Sequence, residues 1–255
     1  MNSDNNEQQQ IIYTGREPPT DPVFQIVYRD EDFVAVNKPF DVNIDDDGKD
    51  RINTVVKYLE SQYPEMKDNI RFVNRIDYAT SGIVFIGLKR KSTNEAAELF
   101  QKRTTTKTYL AIVHGHVVVN ENDADNVINK PIAEDFSDQG GFKMCIGIDD
   151  PANPSKAGRQ SETHYKVVQH TYLNDGSNRP VTKMILYPKT GRRHQLRVHM
   201  HSIGHTIVGD ETYGPKDPLS ERMMLHSWKL QMPFTKRPHL SLETLDPFTE
   251  MYIKK

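Results

Sequence analysis

Asp77 lies in the run Asn74-Arg75-Ile76-Asp77-Tyr78-Ala79-Thr80-Ser81-Gly82, with a cation two residues before it and the apolar stretch Ile83-Val84-Phe85-Ile86 directly after. A nearby positive charge favours the ionised form of a carboxylate. That is the form a nucleophile or general base must present. A turn ion pair or a helix cap uses the same residue types, so this segment alone leaves both readings open. Two further segments hold polar groups from which folding alone gains little. One contains Lys107 and Tyr109, the other Arg192, Arg193, His194, Gln195, Arg197 and His199. A carboxylate, an aromatic hydroxyl and an arginine cluster suit a site that ionises an acid, stacks a flat ring and grips phosphates.

The elements that must position these residues follow from periodicity. Gln25 to Tyr28 and Phe33 to Asn37 are β-rich runs joined by a polar turn, which reads as a hairpin ending at Lys38-Pro39. Asn53 or Thr54 can cap a helix carrying Val55, Val56 and Leu59 that stops before Pro64. Ile83 to Leu88 reads as a buried strand. Ser92-Thr93-Asn94-Glu95 has the capping-box pattern, so a helix is expected from there to about Arg103, with Ala96, Leu99 and Phe100 inward. Lys107 to Val113, Glu162 to Val168, Thr182 to Tyr187 and Arg222 to Leu230 alternate as strands do. Between them, 120–160 is polar and rich in Gly, Pro and Asp, and reads as an irregular insertion. Thr190 is expected to open a helix with Leu196, Met200 and Ile203 on its apolar side, Arg193, Arg197 and His201 on a polar stripe, and Gly204 as its stop. Strands with short links dominate. The expected fold is therefore α+β, a mixed, mainly antiparallel sheet with a few flanking helices.

Composition narrows the function classes. With 36% apolar residues and no long apolar run, no transmembrane helix is expected. The lone cysteine, Cys145, excludes an internal disulfide framework and a Cys-rich zinc site. The first ten residues, rich in Asn and Gln and without arginine, resemble neither a secretory signal nor a transit peptide. We expect 1–22 to be a disordered tail, 23–255 to form one domain, and the protein to work as a monomer in the cytosol or nucleus. Net charge is -2, but it is unevenly spread. Residues 71–109 hold eight Lys or Arg against three acids, and 189–205 hold four basic residues, four histidines and no acid. The acids concentrate in 120–151. Basic motif segments suit a polyanionic substrate. His194, His199 and His201 raise the rival of a metal-dependent hydrolase, but spacings of five and two do not set three imidazoles on one helical face. No metal is expected.

The run 74–82 resembles the signature His-Arg-Leu-Asp-x-x-Thr-Ser-Gly of the large-subunit RNA pseudouridine synthases. Further blocks follow in family order: Val36-Asn37-Lys38-Pro39; Lys107-Thr108-Tyr109-Leu110-Ala111; Thr190-Gly191-Arg192-Arg193-His194-Gln195-Leu196-Arg197-Val198-His199; Gly209-Asp210-x-x-Tyr213-Gly214; and Met224-Leu225-His226. The blocks at 36–45 and 222–226 place the chain nearest a eukaryotic branch. The resemblance implies that 23–255 is a pseudouridine synthase catalytic domain acting on tRNA, rRNA or mRNA without cofactor or metal. It implies Asp77 as the catalytic aspartate, Tyr109 stacked on the uracil and serving in proton transfer, and Arg197 paired with Asp77. Arg75 would fill the space of a flipped nucleotide, and Leu225 would rest against the base. Lys107, Arg192 and Arg193 would face the RNA backbone, and no S4-like domain is expected before residue 25. Asn74 stands where the family has histidine and Ile76 where it has leucine, which reads as a supporting adjustment. A catalytically silent RNA-binding protein on the same scaffold is the alternative that Asn74 leaves open.

Overall fold

The computed structural model describes residues 19–46, 53–119, 126–148, 150, 152–249 and 252–254. In chain order its elements are β1 (Gln25–Arg29), β2 (Phe33–Lys38), α1 (Val55–Gln62), β3 (Arg71–Phe72), β4 (Ser81–Gly87), α2 (Arg90–Gln101) and β5 (Thr106–His114). There follow β6 (Asn126–Asn129), β7 (Ile132–Glu134), β8 (Met144–Ile146), β9 (Glu162–Tyr172), β10 (Pro180–Pro188), α3 (Gln195–Ser202), β11 (Leu225–Met232) and β12 (Leu240–Glu243). Ten strands form one sheet in the order β1-β2-β4-β11-β5-β10-β9-β6, with β3 on β4 and β12 on β11, while β7 and β8 make a separate pair. Every ladder is antiparallel except that between β4 and β11. The expected mixed, mainly antiparallel sheet with few helices is what forms.

The run Ile83-Val84-Phe85-Ile86 is apolar at every position because β4 is covered on both sides. Ile83 and Phe85 join a cluster with Ala96 of α2, and Val84 and Ile86 join another with Val55 and Leu59 of α1. All four β4 side chains are fully buried. The parallel β4-β11 pairing brings the starts of two strands to the same end of the sheet, pairing Ser81 with His226 and Gly82 with Ser227. The Asp77 turn enters β4 there, and Leu225 begins β11 there. Gly82 makes this approach possible: its φ is 107°, and a Cβ would stand 2.2 Å from the Ser227 carbonyl oxygen. Only glycine tolerates both conditions. Gly82→Ala is expected to cost roughly 3 kcal/mol through forced separation of the strands, read as a lowered midpoint in thermal unfolding. A midpoint unchanged from wild type would refute it.

Several local expectations need correction. Helix α1 is capped as expected, with Thr54 Oγ1 accepting from the Lys57 N–H (3.1 Å). Helix α2 instead begins at Arg90 with Lys89 as its cap. Ser92 and Thr93 are no capping box, because both hydroxyls donate to the Lys89 carbonyl (3.0 and 2.8 Å) from within the first turn. Helix α3 starts at Gln195, not Thr190, because His194 takes a left-handed conformation (φ 54°) that a continuing helix forbids. Arg193 therefore lies in the preceding turn. Arg197 is 4% exposed, so the helix carries no polar stripe through it. The polar segment 120–160 holds β6, β7 and β8, short strands whose partners make them regular. Of the expected tail, 1–18 lies outside the described residues.

Candidate active site

The loop before β4, the first half of β5, the turn after β10 and the starts of α3 and β11 surround a cleft of about 500 Å³. Arg75, Asp77, Lys107, Tyr109, Arg192, Arg193, Arg197 and Leu225 all line it. Lys107 and Tyr109, two apart on β5, share one face of the strand, and Lys107 Nζ donates to the Thr190 carbonyl (3.1 Å), tying β5 to the arginine turn. Gln195 holds that turn from inside. Its Oε1 accepts from Thr190 Oγ1 (2.7 Å) and the Arg192 N–H (3.0 Å), while its Nε2 donates to the Glu162 carbonyl (2.9 Å) and Thr163 Oγ1 (3.0 Å).

Arg197 reaches Asp77, but its principal partner is one that sequence reasoning missed. Arg197 Nε and Nη2 donate to Asp210 Oδ2 (2.7 Å) and Oδ1 (2.8 Å), a bidentate pair, and Nη1 donates to Asp77 Oδ2 at 3.3 Å. The Asp210 side chain is fully buried, that of Arg197 is 5% exposed and that of Asp77 is 27% exposed. Burial works against the guanidinium charge, but the hydrogen bonds and charge of Asp210, with Asp77 adding to them, hold its pKa above the ordinary value. Paired two-pronged geometry fixes the guanidinium plane. A further N–H, on Nη1, is left to reach Asp77. Tyr213 lies under the guanidinium, 5.1 Å from its ring centroid. The block Gly209-Asp210-x-x-Tyr213-Gly214 was the available signal. It builds this clamp, but nothing in its spacing names Arg197 as its target.

Lys38 is a second residue whose role only the fold reveals. Fully buried at the end of β2, it donates to the carbonyls of Pro39 (2.9 Å), Val42 (2.7 Å) and Tyr78 (2.9 Å), and so pins the peptide next to Asp77. Burial pulls its pKa down to about 7, opposed by the charges of Asp41 and Asp77. Asn74, the departure from the family pattern, uses its amide on β4: Nδ2 donates to the Ile83 carbonyl (3.3 Å) and Oδ1 accepts from the Phe85 N–H (2.6 Å). It extends the β3 ladder by one side chain.

The Tyr109 phenol is pushed up to about 12, by burial first and then by the charge of Asp77, against a hydrogen bond with Ser227 that lowers it. It is a neutral proton donor near pH 7. The histidines go to separate partners. His194, lowered to about 4 by burial, has Nδ1 2.8 Å from the Tyr213 hydroxyl. That hydroxyl also accepts from the Met144 N–H (2.9 Å). His199 contacts Thr163 Oγ1 and the Lys130 carbonyl, and His201 contacts Thr206 Oγ1. Among the described residues no three His, Cys, Asp or Glu side chains come together as metal ligands.

A carboxylate bonded by a buried arginine thus shares one basic cleft with an aromatic hydroxyl. The chain belongs to the RNA pseudouridylate synthase family, whose model matches residues 32–202. It is 36% identical over 242 residues to RNA pseudouridylate synthase domain-containing protein 1 of Mus musculus, covering 91% of this chain and 75% of that protein. It is 33% identical over 216 residues to the dual-specificity RNA pseudouridine synthase RluA of Vibrio parahaemolyticus, covering 84% and 79%. The solved structure of human RNA pseudouridylate synthase domain containing 1 superposes with a TM-score of 0.76 at 33% identity, over 93% of this chain and 91% of that one. The eukaryotic branch expected from the blocks at 36–45 and 222–226 is among these relatives.

Proposed function

We propose that this chain converts uridine to pseudouridine within structured RNA, with Asp77 initiating cleavage of the glycosidic bond. The observation that carries the reading is the convergence of Asp77, Tyr109, Arg197 and Leu225 on one cleft. As the C1′–N1 bond breaks, positive charge builds on the ribose, and the Asp77 carboxylate stabilises or captures it. The freed uracil turns between Tyr109 and Leu225, which is 3% exposed and supplies an apolar wall. C5 then bonds to C1′, the proton on C5 is lost, and N1 gains one. Tyr109, as a neutral phenol, serves this proton traffic. Arg75 is exposed at the rim and is placed to fill the stack left by a flipped nucleotide, offsetting part of a cost of a few kcal/mol. Lys107, Arg192 and Arg193 hold phosphates.

The test is incubation with RNA tritiated at uracil C5. Release of label above an Asp77→Ala control is expected, and wild type that binds RNA yet releases nothing would sink the reading. The silent-binder alternative rested on Asn74, whose amide is committed to the β4 backbone. Affinity should also depend on pH through Lys107, whose pKa is lowered to about 8 by burial and by Arg103. Binding is expected to weaken as pH rises through about 8, because the ammonium facing the phosphate is lost there. Stability moves the opposite way. The unfolded chain keeps that proton up to the ordinary 10.5, so between 8 and 10.5 rising pH favours the folded state. Fluorescence anisotropy of labelled oligouridylate should show the inflection near pH 8 in wild type and lose it in Lys107→Met; an inflection that survives the substitution removes Lys107 from the contact.

A further inference from the structure

A second hollow of about 360 Å³ opens beside the cleft and shares Phe100, Lys107 and Arg192 with it, while Arg103 and Lys189 complete its rim. Among the described residues none lining this hollow is acidic. Lysines and arginines elsewhere on the molecule commonly have carboxylate partners. Arg29 pairs with Glu65, Lys89 with Glu31, and Lys102, immediately before Arg103, with Glu98. Among the described residues Arg103, Lys107, Lys189 and Arg192 have none. Lys107 donates to the Thr190 carbonyl and Arg192 to the Gln160 carbonyl, contacts that orient the cations without neutralising them. Arg103 is fixed by the end of α2, with φ 58° and its N–H donating to the Phe100 carbonyl (3.1 Å). Four cations around one concavity repel each other and concentrate anions. A strand of phosphodiesters threaded past the cleft would meet them next.

We propose that this hollow is a second phosphate subsite, receiving the RNA strand on one side of the target uridine as it leaves the cleft. The assignment rests on the reading of the cleft as an RNA-modifying site. It gives Arg103 and Lys189 a role in the grip on substrate and none in the chemistry, since neither lines the catalytic cleft.

Arg103→Gly combined with Lys189→Ala tests it. Glycine suits the positive φ at Arg103, and both side chains are exposed, so the fold is retained. The probe is a fluorescein-labelled oligouridylate long enough to span both hollows, titrated against the full chain over a range of salt. The double variant is expected to bind several-fold more weakly, with a plot of log affinity against log salt shallower by about 1.4, from two contacts at roughly 0.7 each on a single strand. On tritiated RNA its KM should rise while kcat holds. Lys102→Ala, which removes an adjacent but paired charge, should bind as wild type does. If the double variant keeps the wild-type slope, or Lys102→Ala lowers it equally, the subsite is overturned and the synthase reading stands. If wild type binds with the steeper slope but releases no tritium, the synthase reading fails and the phosphate contact survives.

Discussion

Asp77→Ala is expected to bind RNA as tightly as wild type and to lose at least about four orders of magnitude in tritium release, because it removes the group proposed to meet the sugar as the glycosidic bond opens. The geometry makes this a clean experiment. Asp77 receives only the third and longest of the Arg197 hydrogen bonds, 3.3 Å against 2.7 and 2.8 Å to Asp210. Arg197 therefore keeps its bidentate partner in the variant and is not left as an unpaired buried charge. Stability should change by no more than about 1 kcal/mol, so lost turnover cannot be assigned to unfolding. Asp77→Asn retains size and an acceptor oxygen but not the negative charge, and should be equally inactive. Turnover above a few per cent of wild type in either variant would remove Asp77 from the nucleophilic role.

Asp210→Ala should have the largest effect on stability. It leaves the guanidinium of Arg197 in a site where both side chains are nearly excluded from solvent, and breaking such a pair from one side costs about 3–5 kcal/mol. For a chain of this size the thermal midpoint should fall by about 10 °C. Activity should fall as well, in kcat more than in KM, because the freed arginine can turn its fork onto Asp77 and cover the carboxylate it normally aims. Asp210→Ala with Arg197→Met removes both charges and should recover much of the midpoint but not the turnover. That pairing of results distinguishes a positioning residue from a structural one. An Asp210→Ala chain that melts with wild type would show that the clamp contributes little.

Legibility in the sequence followed the range of the interaction. Strand β4 was readable because four successive apolar residues between a turn and a polar segment have no alternative to burial on both faces. The Thr54 cap was readable because donor and acceptor are three residues apart. The short strands β6 and β12 were not, since β6 is regular only against β9, where Asn126 faces Tyr165, and β12 only against β11. The start of α3 was misplaced for a related reason. Thr190, Arg192 and Gln195 look like a first helical turn, but the buried Gln195 side chain bonds β9 and folds the chain back through a left-handed His194.

The same division runs through the site. The ordered blocks and the family they resemble put forward Arg75, Asp77, Lys107, Tyr109, Arg192, Arg193, Arg197 and Leu225, and the fold brings all of them to one cleft. The sequence also determined that the basic segments carry them. Only the tertiary structure decided which group holds which. Arg197 belongs first to Asp210 and second to Asp77, Lys38 holds the peptide beside Asp77, and the parallel join of β4 to β11 brings Asp77 and Leu225 to one end of the sheet. Electrostatic and hydrogen-bond partnership depends on separations of a few ångströms and on shared burial. A linear order of residues carries neither until the strands have paired.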